Sequence, residues 1–222
     1  MHCTLRIFAL KLAAVALALA CASPRAAGQK RVDPRPALTS FTSADAVFRV
    51  RYPKYLLRCE HLDAENPDVW SPESGCAASI PVCDNSGHSG NVLACLAYPI
   101  AAFQGSELQA AAFSVSRLDN FGASECGQKW ASRDTSGVHV ERIGGMKFQA
   151  AKAIETETSH AAEHSIYRVF HQGACYELDV NLSMALASAF AAEDAPRKLT
   201  STEREKIKAG LTRALEGFRF QK

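Results

Sequence analysis

Between Ser165 and Leu182 (SIYRVFHQGACYELDVNL) apolar and polar positions alternate with a period of two on either side of Gln172-Gly173. That period marks a half-buried strand, and a Gly able to take positive φ suits a two-residue hairpin turn. Folded about the turn, Tyr167 and Val169 fall opposite Leu178 and Tyr176, and Val180 and Leu182 extend the same apolar face. On the other face Phe170 meets Cys175 and Arg168 meets Glu177. A slip of one residue would turn that charged pair toward the apolar side, so the register is strongly specified.

The same reading carries along the chain. Ala46 to Tyr52 alternates and ends at Pro53, which cannot donate to a ladder. Tyr55 to Leu62 reads as a short strand or turn, and 65–75, with two Pro and a Gly, as a loop. Ala77 to Cys83, Asn91 to Tyr98 and Glu107 to Leu118 are β-like. Ser124, with Glu125 after it, is placed to cap a short helix to about Arg133. A second hairpin is expected around a three-residue loop, Ile143-Gly144-Gly145, with Val138 and Val140 facing Ala150 and Phe148, and Glu141 across from Lys147. Its second strand runs to about Glu157, and His160 to His164 form a polar connection. Met184 to Ala192 reads as a helical turn. The last helix opens on a Thr200/Glu203 capping box and carries the stripe Ile207, Leu211, Ala214, Leu215, Phe218. Gly217 is expected to close it in a left-handed conformation before a terminal strand, Phe218-Arg219-Phe220.

The N-terminus changes the compartment. Arg6 and Lys11 precede the apolar run Leu12 to Ala20, which is followed by small residues. Residues 1–22 therefore read as an export signal, too short to span a bilayer. Two processing routes are open: cleavage after Ala22, or acylation of Cys21, whose setting Leu17-Ala18-Leu19-Ala20-Cys21 resembles a bacterial lipobox. Residues 23–44, rich in Pro, Arg, Ala and Ser, read as a flexible tether, leaving 45–222 as one α+β domain. The expected location is outside the cytoplasm: periplasmic, anchored at the outer membrane through Cys21, or secreted.

Charge narrows the partners. The chain's net charge of +2 is concentrated at its start: residues 1–36 hold six of the 25 Lys and Arg and one of the 23 acids. The rest carries 19 basic against 22 acidic residues, a balance of −3. That argues against nucleic-acid binding, which needs clustered cations. Setting Cys3 and Cys21 aside leaves Cys59, Cys76, Cys83, Cys95, Cys126 and Cys175, an even number that reads as disulfides in an exported chain, with fifteen pairings open. No CxxC is present, so no zinc knuckle or redox pair is indicated.

Few residues offer chemistry. Gly87-His88-Ser89-Gly90 lacks the spacing and following helix of a nucleophile elbow, and Asp84-Asn85-Ser86 lacks the bidentate Glu of a calcium loop. His160, His164 and His171 form a cluster with Glu163 that could hold a transition metal if helical, or stand as solvated loop histidines. Trp70, in a Pro-rich loop, either covers the sheet edge or lines a small-ligand groove. No catalytic residue and no cofactor are assigned. The expected role is non-enzymatic binding or assembly with an envelope protein or small ligand. The alternatives are a metal-binding protein or enzyme using the His160/His164/His171 group, or a small-ligand carrier near Trp70.

The order "FRVRYP", "AAFSVS", short helix, Gly-turned hairpin, "YRVFHQGACYEL" and a closing helix ending in "GFRF" resembles the PsbP-like superfold. That superfold is shared by the PsbP subunit of photosystem II and DcrB-type envelope lipoproteins. The chain also looks like exported proteins of acidobacterial type with a similar "YR.(F/Y)H.G.CYEL" stretch. The resemblance implies a single antiparallel sheet flanked by helices, and binding rather than catalysis. The six cysteines depart from PsbP and DcrB.

Overall fold

The computed structural model describes residues 36–59, 83, 90–128 and 135–221. Ten strands and two α-helices follow in the order β1 (Leu38–Thr42), β2 (Phe48–Pro53), β3 (Leu57–Cys59), β4 (Gly90–Ala97), β5 (Leu108–Leu118), α1 (Ala123–Cys126), β6 (Thr135–Ile143), β7 (Met146–Thr156), β8 (His160–His171), β9 (Ala174–Ala185), α2 (Ser201–Glu216) and β10 (Phe218–Phe220). The fold is α+β, with two sheets where one was expected: a seven-stranded sheet, β3-β4-β5-β9-β8-β7-β6, and a three-stranded one, β1-β2-β10. Every strand pair is antiparallel. The second sheet begins inside the stretch read as tether, because Leu38 to Thr42 pairs residue for residue with β2.

The β8–β9 hairpin has the expected register, with Arg168 opposite Glu177 and Tyr167 opposite Leu178. Gln172 (φ 47°) and Gly173 (φ 83°) both adopt positive φ, as a type I′ turn requires. The β6–β7 hairpin differs. Gly144 (φ 61°) and Gly145 (φ 87°) make a two-residue turn of the same kind, Ile143 pairs with Met146, and Val140 pairs with Gln149. Arg142, not Glu141, stands across from Lys147. The expected register buried Val138 and Val140, but β6 is an edge strand, and these valines are 54% and 56% exposed. The turn set the register because burial did not.

His160 to His164, expected as a polar connection, are the first five residues of β8, and of Met184 to Ala192, expected as a helical turn, Met184 and Ala185 end β9 and only Ala187–Ala189 form a 3₁₀ turn. The helix α1 spans four residues; its N-cap is Gly122, whose N–H donates to Glu125 Oε2 (3.2 Å), so Ser124 lies inside the first turn. The capping box of α2 forms as expected: Thr200 Oγ1 accepts from the Glu203 N–H, and Glu203 accepts from the Thr200 N–H. Gly217 has φ −83°, not a left-handed conformation. Glycine is required there for space, since a Cβ would stand 1.8 Å from the Arg51 carbonyl oxygen.

The main core lies between α2, the small sheet and one face of the large sheet. Ile207, Leu211, Ala214 and Leu215 of α2 pack in a cluster with Phe48 and Val50 of β2, Phe113 and Val115 of β5, and Leu178 and Leu182 of β9. On the other face Cys126 of α1 is bonded to Cys175 of β9. This link closes 49 residues of chain. Its removal, as Cys126→Ser with Cys175→Ser, is expected to lower the unfolding free energy by about 2–4 kcal/mol in urea titrations. A loss below a few tenths would show that α1 is held by packing alone.

Candidate functional site

Both faces of β9 are buried, which is unusual for a strand that alternates so regularly. On the α1 face the polar set Glu177, Asp179, Asn181 and Ser183 is buried, and three of its members sit in rows across three strands that mix polar and apolar neighbours: Ser116–Glu177–Arg168, Ser114–Asp179–Ile166 and Ala112–Asn181–His164. Arg168 donates from Nε (2.7 Å) and Nη2 (2.6 Å) to Glu177 Oε2, and its guanidinium lies 5.6 Å from the Phe121 ring. His164 Nδ1 is 2.7 Å from Asp179 Oδ2, and Asn181 Nδ2 is 3.1 Å from the same nitrogen. Glu155 Oε2 lies 3.6 Å from His164 Nε2.

Ser114, Asp179 and His164 are the residue types of a hydrolytic triad, but their order is wrong. Ser114 neighbours Asp179, and β9 separates it from His164. Two strand spacings are about 10 Å, where a nucleophile and its base need roughly 2.6–3.2 Å. The cluster orders the sheet.

The expected histidine metal group is not assembled. His160, His164 and His171 stand along the single strand β8. At about 3.3 Å per residue, His164 is roughly 13 Å from His160 and 23 Å from His171. No one ion can reach all three. His171 instead stacks on Phe220 at 3.9 Å, and His160 Nε2 lies 3.6 Å from Glu157. Among the cysteines, Cys83–Cys95 and Cys126–Cys175 are disulfides, and Cys59 is disulfide-bonded, with its sulfur 3.8 Å from that of Cys83. Cys59, Cys83 and Cys95 bring three sulfurs within 4.8 Å of one another, but bonded sulfurs are not the thiolates a metal binds. Cys21, Cys76 and Trp70 lie outside the described residues.

The opposite face carries a groove of about 380 Å³ beside α2. Its floor is built in register. Ser136, Lys152, Ser165 and Val180 form one row across β6, β7, β8 and β9, and Ile154, Glu163 and Leu182 the next. Tyr167 lies on the other side of the lysine row, and Lys208 and Thr212, one turn apart on α2, form the wall. Glu163 accepts from Arg204 Nη1 (2.5 Å) and Lys208 Nζ (2.9 Å). Burial pushes its pKa up, but Lys208 and Arg204 outweigh that and hold it below the ordinary carboxylate value.

Burial, helped by Glu141 and Asp179, pushes the Tyr167 phenol up to about 12, so at neutral pH it is a hydroxyl donor. A pKa raised on folding stabilises the folded state fully below the ordinary value near 10 and loses that stabilisation as pH rises through about 12. Urea titrations are therefore expected to show a fall in stability from pH 10 to 12 that is smaller in Tyr167→Phe. An equal fall in both proteins would place the alkaline transition elsewhere.

No family model matches the chain, and no curated protein matches it. Solved structures do. The solution structure of cyanobacterial PsbP (CyanoP) from Synechocystis aligns at a TM-score of 0.42 with 9% identity, over 88% of this chain and 99% of that one. LpqN, involved in cell envelope biogenesis of Mycobacterium tuberculosis, aligns at 0.37 with 10% identity, over 86% and 88%. A crystal structure from Bacteroides thetaiotaomicron aligns at 0.38 with 14% identity, over 82% of this chain and 48% of that one. The chain thus spans about half the length of that Bacteroides protein. The likeness to PsbP is structural and distant, and no acidobacterial protein is among these three.

Sequence reasoning placed Val180 and Leu182 on the core face of the sheet and Glu163 in a loop, and did not gather them. The signal was available. Extending the β8–β9 register one strand further aligns Lys152, Ser165 and Val180, and the helical period of α2 sets Lys208 above Thr212.

Proposed function

We propose that the protein is an exported, non-catalytic binding domain of the cell envelope that holds a small amphipathic molecule in the groove between α2 and strands β7 to β9. One observation carries this reading: a cleft within the common size range of ligand sites, about 300–1,000 Å³, joins an apolar inner end at Val180 and Leu182 to converging hydroxyl and ammonium groups. A site of that composition binds and orients. It lacks, among the described residues, a nucleophile paired with a base. The export signal and the disulfides support a location outside the cytoplasm.

The neutral dye N-phenyl-1-naphthylamine tests the groove. It is expected to bind one-to-one and saturably, and Ser165→Trp, which fills the floor, is expected to abolish binding at an unchanged melting temperature. Absence of saturable binding, or binding indifferent to Ser165→Trp, would overturn the assignment.

A further inference from the structure

Resting on the groove reading, we propose that the ligand is a small anion, a carboxylate carried on a short aliphatic chain. The charged groups of the groove are unbalanced in one direction: Lys152 and Lys208 stand against Glu163, and the hydroxyls of Tyr167, Ser165 and Thr212 can donate alongside them. The carboxylate in the groove lining, Glu163, already accepts from Arg204 and Lys208. Lys152 is different: solvent-exposed on the floor between Ser136 and Ser165, it is engaged by no ion pair among the described residues. A ligand that brings an acceptor-only head gives Lys152 a counter-charge and the adjacent hydroxyls an acceptor together. A cationic head would meet two ammonium groups, and a neutral one would cover Lys152 without answering its charge.

The apolar part has a place as well. Ile154, one row from Lys152 on the same face, is 65% exposed, the most exposed large apolar side chain among the described residues. Val180 and Leu182 are buried at the inner end of the two rows. A chain of several carbons with its carboxylate at Lys152 would cover Ile154 and reach toward these two. Desolvated apolar contact then supplies affinity, and the charge-assisted contact supplies selectivity for the head group.

The test displaces N-phenyl-1-naphthylamine from the 222-residue chain with octanoate, octan-1-ol and octylamine. Octanoate is expected to displace the dye at about tenfold lower concentration than octan-1-ol, with octylamine weakest, an advantage typical of one charge-assisted contact. Lys152→Gln should bring octanoate down to the level of octan-1-ol, and Lys152→Arg should keep the advantage. Equal displacement by octanoate and octan-1-ol, or an octanoate advantage that survives in Lys152→Gln, overturns the anion assignment while the groove stands. Failure of the dye to bind at all overturns the groove itself.

Discussion

Glu177→Gln and Arg168→Met are each expected to lower the unfolding free energy by about 3–5 kcal/mol, the typical cost of breaking a buried ion pair by removing one of its charges. The two side chains face each other across β8 and β9, are 2% and 3% exposed, and meet at 2.6–2.7 Å. Their mutual attraction offsets part of the cost of taking both charges from water, and removing either charge withdraws that attraction while the other side chain is still buried. For a domain of this size a loss of that magnitude lowers the melting temperature by roughly 10 °C, at about 2–4 °C per kcal/mol. The double variant is expected to lose less than the sum of the two single losses, since it leaves no unmatched partner of this pair. A loss under about 1 kcal/mol from either single substitution, the value of an exposed pair, would mean that water reaches the pair.

Phe218→Ala carries the second large effect, about 3–5 kcal/mol. Phe218 opens β10 and is 1% exposed. Its ring lies 5.4 Å from Phe48 of the small sheet, 6.2 Å from Phe148 of the large sheet and 4.9 Å from Phe220. It therefore joins both sheets to the end of α2, where Gly217 leaves no room for the chain to shift toward Arg51. Truncation leaves a ring-sized cavity that these neighbours cannot close together. Phe218→Leu, which keeps most of the volume, should recover more than half of the loss. Urea denaturation of the three proteins decides the matter, and an Ala variant as stable as the parent would show that the sheets do not depend on this contact.

What the chain discloses about its own fold follows from where burial and turn chemistry agree. At Gln172-Gly173 both specify one register, and the β8–β9 hairpin is legible to the residue. At Gly144-Gly145 they disagree: the valines of β6 suggest burial that an edge strand does not provide, and the turn prevails. The Arg168–Glu177 pair was legible as a pair but not as a buried one, because its concealment depends on what packs over the second face of the sheet. Periodicity within a strand says nothing about that. The histidines were misplaced for the reverse reason: polar residues at His160 to His164 suggested a loop, yet they are the inward and outward positions of a strand. The groove was the least visible feature, because its floor crosses four strands and its wall comes from a helix near the C-terminus.

Amide chemical-shift mapping with octanoate tests ligand binding beside α2 most directly. Saturable shifts confined to 152–154, 163–167, 180–182 and 208–212 are expected, with Lys152 and Ser165 among the largest. Shifts centred instead on the Glu177 and Asp179 rows of the opposite face, or none at millimolar octanoate, would contradict it.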